Sequence, residues 1–237
     1  MGVVVVAAGS GSRLGAGVPK AFVALDGVTL LEHAVRRALG CPQLRQVTVV
    51  APSSHLEVAW AALDAAVAAS SAPVGVAYAV VPGGDDRRDS VCAGLATLVP
   101  EVDVVLVHDA ARCLAPSALF ASVAGSVAAG HPAVVPGLPV VDTVKEVDDD
   151  GRVVSTPDRA RLRAIQTPQG FARAVLEQAH ALTGSAVTDD AALVERLGLP
   201  VLVVPGDPLA EKVTTPRDLA LAQTMLSGAG AGDGGAG

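Results

Sequence analysis

The 237 residues predict an α/β fold, a mainly parallel sheet covered by helices. Three observations carry that prediction. Six short apolar runs alternate with Ala- and Leu-rich amphipathic stretches, the rhythm of strands and crossover helices. The first run passes directly into a loop of small residues, at the strand end where open α/β sheets bind ligands. Hydrophobic residues make up 51% of the chain but aromatics only 2%, so the core must be built from Val, Leu and Ala. The length suits one such domain.

In chain order, strands are expected at 3–7, 47–51, 74–81, 104–107, 133–136 and 201–204. Between them, Thr29-Leu30-Leu31-Glu32 and Ser54-His55-Leu56-Glu57 both read as capping boxes. In a capping box the hydroxyl caps the N3 amide and Glu reaches back to the cap residue. Helices should therefore cover about 30–39 and 55–69, with others after Asp89, Ser117, Phe171, Thr188 and Pro216. Residues 139–167 break the rhythm. A Val140–Val147 run, an Asp148-Asp149-Asp150-Gly151 turn and Val153-Val154 signal a β-hairpin. An excursion of that length is either a lid or an arm reaching a second subunit. The expected organisation is one domain over 1–226, an arm at about 139–167, and a disordered Gly/Ala tail over 227–237.

Composition removes several functions. A net charge of −7 disfavours a general polyanion-binding surface, and so few aromatics cannot build the stacking platforms of single-strand nucleic-acid binding. No apolar run is long enough for a membrane span or a signal segment. Cys41, Cys92 and Cys113 are odd in number and lack CxxC spacing, so they read as buried thiols of a reducing cytoplasm rather than a disulfide or zinc framework.

The chemistry gathers at strand ends. Ala7-Ala8-Gly9-Ser10-Gly11-Ser12 lets a ligand lie against bare backbone N–H groups, and Arg13 and Lys20 add two positive charges. That combination suits a polyphosphate. A tight strand–helix connection is the plainer reading, but a turn needs neither cation. The third glycine comes one residue too late for a dinucleotide fingerprint, the second strand ends in Ala51-Pro52-Ser53 without a ribose-binding acid, and no Walker A lysine is present. Pro82-Gly83-Gly84-Asp85-Asp86-Arg87-Arg88-Asp89-Ser90 follows the third strand, with Asp85 and Ser90 able to bond a ribose or base; a charged turn with Ser90 as helix cap is the alternative. Val107-His108-Asp109-Ala110-Ala111-Arg112 ends the fourth strand, with Asp109 placed to hold a metal or substrate hydroxyl, or to cap a turn. His108 beside it reads as structural. Thr188-Asp189-Asp190 reads equally as an N-cap, and Lys212 as a phosphate contact or a solvated lysine.

Taken in order, AAGSGSRLGAGVPK, GGDDRRDSV, VHDAAR, DTVK, the DR of TPDRARL, QTPQGF, VTDD and EKVTTPRDLALA resemble the 2-C-methyl-D-erythritol 4-phosphate cytidylyltransferases of the non-mevalonate isoprenoid pathway. The resemblance spans nearly the whole chain. It implies a Rossmann-like nucleotidyltransferase fold of the nucleotide-diphospho-sugar transferase type, with a β-arm that interlocks a homodimer. It further implies that Ala7, Ala8, Gly9 and Gly11 line the nucleotide, the first three reading cytosine, and that Gly84, Asp85 and Ser90 hold base and ribose. Arg13 and Lys20 would serve the triphosphate, with Lys212 as a third catalytic cation. Asp109, Arg112, Thr167, Thr188 and Lys212 would line the polyol phosphate side, and Thr143 and Arg159 would reach it from the partner's arm. The implied reaction is attack of a phosphate oxygen on the α-phosphorus of CTP, with Mg²⁺ carried by the CTP phosphates and no protein metal ligands. Ribitol 5-phosphate cytidylyltransferases share the loop and its lysine, and a catalytically inactive nucleotide-binding regulator is the rival from another class.

Overall fold

The computed structural model describes residues 1–9, 14–15, 17–182 and 189–230, with side chains to residue 228. Strand β1 (Gly2–Val6) leads to a small hairpin, β2 (Ala24–Leu25) and β3 (Val28–Thr29). Its turn is Asp26-Gly27, both at positive φ (54° and 76°), the turn that Asp-Gly favours between twisted strands. Helix α1 (Leu30–Leu39) starts where expected, with the Thr29 hydroxyl accepting from the Glu32 amide at 3.1 Å. β4 (Gln46–Ala51) precedes α2 (Leu56–Ala68). The second expected capping box does not form. Pro52 turns the chain into a 3₁₀ turn over Ser53–His55, the Ser54 hydroxyl pairs with His55 Nδ1 at 2.8 Å, and α2 begins without a side-chain cap.

β5 (Ala77–Pro82) starts three residues later than expected, because Gly75 turns at φ +82° and Val74 is fully exposed. α3 (Arg87–Leu95) starts earlier than Asp89: Asp86 is its cap, accepting from the Asp89 amide at 2.8 Å. Ser90 therefore lies inside the helix rather than capping it, its hydroxyl donating to the Asp86 carbonyl. β6 (Val104–Asp109), α4 (Ser117–Ala128) and β7 (Ala133–Pro139) follow. The arm holds β8 (Glu146–Val147) antiparallel to β9 (Val153–Ser155), as the hairpin signal predicts, although most of the 140–147 run is not strand. β10 (Arg163–Ile165) and β11 (Gln169–Ala172) return to the main sheet, then come α5 (Arg173–Ala181), α6 (Asp190–Arg196), β12 (Val201–Pro205) and α7 (Pro216–Gly230). Helix α7 thus runs past Ser227, where a disordered tail is expected; residues 231–237 lie outside the described residues.

The sheet runs β10–β7–β11–β6–β1–β4–β5, with β12 on β7. β1 is parallel to β4 and β6, β4 to β5, and β12 to β7, whereas β10 and β11 are antiparallel. Helices cover both faces, and the side chains of β1 divide between two cores. Val3 and Val5 join Leu31, Val35, Leu63 and Phe120; Val4 joins Val91, Leu95, Phe171 and Leu176. A strand buried on both faces needs an unbroken aliphatic run, which explains Val3-Val4-Val5. Each such side chain contributes about 1.5–3 kcal/mol of transfer free energy. The single tryptophan, Trp60, stands on the outside of α2 at 40% exposure. No described helix is long and apolar enough to cross a membrane.

Candidate active site

The carboxyl ends of β1, β5 and β6 open onto a cavity of about 460 Å³. Its walls include Ala7, Ala8, Gly9, Lys20, Gly84, Asp85, Ser90, Asp109 and Lys212, so nine residues singled out from separate stretches of sequence meet in one place. The loops that line it carry small residues for a packing reason. A Cβ on Gly83 would come within 2.5 Å of the Ala8 Cβ, and one on Gly84 within 2.3 Å of the Asp89 Cβ. Glycine at 83 lets the β5–α3 loop lie this close to the β1 loop, and glycine at 84 lets it lie against the first turn of α3. The Ala7 amide already donates to the Val50 carbonyl at 2.8 Å, so Ala7 can offer a ligand only its carbonyl.

Lys20 is set by a 3₁₀ turn, Lys20–Phe22, held by Phe22 N–H to the Pro19 carbonyl at 2.9 Å and anchored by buried Ala21. Lys212 reaches the same cavity from the loop before α7. Its loop is fixed by Val213 N–H to the Ala111 carbonyl at 2.8 Å, and by two side chains from behind. Arg112 donates to the carbonyls of Ala210 and Ile165 at 2.8 and 3.1 Å; Gln166 gives and takes hydrogen bonds with the Asp207 backbone at 2.8 and 2.9 Å. Arg112 therefore shapes the cavity wall rather than facing into it. Burial pulls its guanidinium pKa down, against the nearby Asp109 and Glu211.

Asp109 is the electrostatic centre. It is 8% exposed and accepts from Arg87 at 2.5 Å and from Lys212 at 2.7 Å. Burial raises its pKa, but Arg87 and Lys212 outweigh that and hold it well below the carboxylate range. Arg87 reaches a second carboxylate, Asp190, at 2.9 Å. Burial works against the Arg87 charge, and Asp109 and Asp190 together more than restore it. Thr167 is buried, its hydroxyl accepting from the Asp109 amide at 3.0 Å and lying 3.1 Å from His108 Nδ1. Burial pushes His108 down to about 4, so the ring is neutral and shares a single hydrogen bond with that hydroxyl. His108 packs on Phe120 with ring centroids 4.7 Å apart, the structural role its sequence context suggests.

Thr143 and Arg159 stand on the arm, outside this cavity, with Arg159 donating to the Val141 carbonyl at 2.5 Å. Gly11, Arg13 and Thr188 lie outside the described residues. Sequence reasoning missed Arg87 and Asp190 as site residues. Arg87 sits in the quoted GGDDRRDSV motif, but its role depends on partners 22 and 103 positions away. Among the described residues, no group of three or more His, Cys, Asp or Glu side chains is arranged to hold a metal ion.

A family model described as "IspD: 2-C-methyl-D-erythritol 4-phosphate cytidylyltransferase" matches residues 1–228. The chain is 50% identical over 226 residues to the 2-C-methyl-D-erythritol 4-phosphate cytidylyltransferase of Saccharopolyspora erythraea, covering 94% of this chain and 97% of that protein. It is 54% identical over 233 residues to the bifunctional enzyme IspD/IspF of Clavibacter michiganensis, covering 98% of this chain but spanning only 56% of that protein's length. Among solved structures, 4-diphosphocytidyl-2C-methyl-D-erythritol synthase from Anaerococcus prevotii superposes with a TM-score of 0.82 at 27% identity, covering 95% of each chain. The cytidylyltransferase from Thermus thermophilus gives 0.73 at 33% identity, covering 95% of this chain and 98% of that one.

Proposed function

The chain belongs to the 2-C-methyl-D-erythritol 4-phosphate cytidylyltransferase family, and from that premise we propose how its cavity carries out the reaction. The enzyme transfers CMP from CTP to 2-C-methyl-D-erythritol 4-phosphate, giving 4-diphosphocytidyl-2-C-methyl-D-erythritol and pyrophosphate in isoprenoid precursor synthesis. One observation carries the assignment of halves: Lys20 lines the cavity from the turn that follows the β1 loop, and Lys212 lines it from the loop before α7, where Asp109 holds it. CTP lies on the Ala7–Gly9 side. The Ala7 carbonyl and the Ala8 and Gly9 backbone meet the base, while Gly84, Asp85 and Ser90 bound the base and ribose. Lys20, with Arg13, neutralises the triphosphate and the charge that builds at the α-phosphorus. The acceptor phosphate lies toward Asp109 and Lys212, on a wall that Arg112 and Thr167 shape, with Thr188 expected as a further contact. Its oxygen is already ionised near neutrality, so the protein needs no general base; its task is to hold two polyanions together in line.

Asp109 already carries two cations, and the described residues assemble no carboxylate cage. These residues suit a Mg²⁺ held by the CTP phosphates and water, with Asp85 and Asp86 as carboxylates at the cavity wall. When bound, such an ion lowers the charge of the triphosphate.

The homodimer belongs to the same proposal. The arm exposes Val141, Val147, Val153 and Val154 at 54–78%, apolar surface with no core of its own to join, and a second copy's cavity is the place where Thr143 and Arg159 find a function. A cytoplasmic location suits an enzyme with three free cysteines. Pyrophosphate release from CTP and Mg²⁺ tests the acceptor. 2-C-methyl-D-erythritol 4-phosphate should support turnover and ribitol 5-phosphate should not; the opposite result overturns the choice. Arg159→Ala should weaken acceptor binding far more than CTP binding. When Arg159→Ala and Lys20→Ala subunits are co-assembled, one intact site should form in each mixed dimer, restoring roughly a quarter of wild-type activity. No restoration would remove the cross-subunit role.

A further inference from the structure

We propose that Cys92 is a thiol-modification site whose occupancy is transmitted to the acceptor side of the catalytic cavity. Cys92 lies on α3 and lines a second, open cavity of about 350 Å³ with Leu95, Arg173, Glu177 and His180. Its Sγ is 3.3 Å from His180 Nδ1, and His180 Nε2 is 3.0 Å from Asp190 Oδ1. The His180 and Asp190 side chains are each only 3% exposed. A nucleophile, a base and an orienting carboxylate in this order are the arrangement that activates a weak nucleophile. Nε2 faces a carboxylate and carries the ring proton, so Nδ1 accepts from the thiol. Burial holds the Cys92 thiol above its ordinary range, with Arg88 opposing and Asp89, Asp190 and Asp86 reinforcing. The thiol is therefore protonated near neutrality and reacts when His180 takes the proton. Cys41 and Cys113 are sealed in the core and pushed up to about 11 and about 12 by burial.

The same carboxylate leads to the catalytic cavity. Asp190 Oδ2 holds Arg87, Arg87 holds Asp109, and Asp109 holds Lys212. A group on Cys92 displaces the His180 ring, removes one partner of Asp190, and loosens the clamp that fixes Asp109 and Lys212. The step is thiol–disulfide exchange with a low-molecular-weight disulfide. The Cys92 proton passes to His180 Nδ1, the thiolate sulfur attacks one sulfur of the reagent, and the reagent's S–S bond breaks. A Cys92 mixed disulfide forms, one reagent thiolate leaves, and the proton returns from His180 to solvent.

The test is reaction of the native enzyme with 5,5′-dithiobis(2-nitrobenzoate). One equivalent of thiol should be released from the wild type and none from Cys92→Ser, with labelling at least about tenfold slower in folded His180→Gln. The labelled enzyme should lose about tenfold in kcat/KM for the polyol phosphate while KM for CTP holds, and dithiothreitol should reverse the loss. Cys92→Ser should keep wild-type activity and ignore the reagent. Thiol release that persists in Cys92→Ser, equal labelling in folded His180→Gln, or full activity of the labelled enzyme would each overturn the proposal. The Cys92→Ser and labelled-enzyme arms decide it even where His180→Gln does not fold. Only the activity arm rests on the cytidylyltransferase reading, so a failure of that reading leaves the labelling result standing.

Discussion

Lys20→Ala should lower kcat by about a hundredfold to a thousandfold, equivalent to about 2.7–4 kcal/mol of transition-state stabilisation, while the protein remains folded. The fold survives because the turn that carries Lys20 is held by backbone hydrogen bonds and by the buried Ala21. The loss falls on turnover because charge accumulates on the phosphoryl oxygens as the α-phosphorus is attacked, and a cation fixed there in advance costs nothing to reorganise. Steady-state kinetics with pyrophosphate detection, beside a circular dichroism melt, separate the two effects. Near-normal turnover in this variant would sink the assignment of the triphosphate to the Lys20 side.

Asp109→Asn should reduce both stability and activity. The substitution leaves Arg87 and Lys212 facing a neutral amide where they had a carboxylate at 2.5 and 2.7 Å. Breaking a fully buried pair in this way costs about 3–5 kcal/mol. The Lys212 side chain is 43% exposed and Arg87 keeps Asp190, so about 2 kcal/mol is the better expectation. The pH dependence follows from the depressed native pKa of Asp109. Its contribution is complete above the unfolded carboxylate value, near 3.9, and is lost as pH falls through the lower folded value. The stability difference between wild type and Asp109→Asn should therefore be flat from neutrality down to about pH 4 and shrink only below it. Kinetically, a loosened Lys212 should cost about a hundredfold in kcat/KM for the acceptor, with CTP binding less affected. A difference that vanishes already near pH 6, or a loss confined to CTP, would contradict the clamp.

Much of this molecule could be read before it was seen, for identifiable reasons. Strands buried on both faces must be continuous aliphatic runs, so Val3-Val4-Val5 and Val104-Val105-Leu106-Val107 announce themselves. A Thr three residues before Glu locates the start of α1 to the residue. The same pattern at Ser54 fails because Pro52 imposes a 3₁₀ turn first. β11 escaped notice since its four residues include Gln169 and Gly170, and its antiparallel place between β6 and β7 is a tertiary choice. The Asp26-Gly27 hairpin is written in the sequence as the dipeptide that favours two consecutive positive φ angles. In the site, loops at strand ends were legible because small residues beside fixed cations suit a polyphosphate and a plain turn needs no cation. Arg112 and Arg87 were not, because a guanidinium that braces carbonyls and one that bridges two carboxylates look alike in sequence.

An interior of aliphatic side chains, with Phe120 and Phe171 among them, is also nearly dark at the wavelengths that excite indole and phenol. The lone indole, Trp60, sits on the water side of α2, and the one tyrosine, Tyr78, is not part of the sealed core. Intrinsic emission therefore reports the outer face of α2 rather than the packed core, and an unchanged spectrum must not be taken as proof that a variant is intact. The same silence makes the molecule a clean host for optical labelling. With Trp60 replaced, a single indole placed near the cavity would report substrate arrival against almost no background.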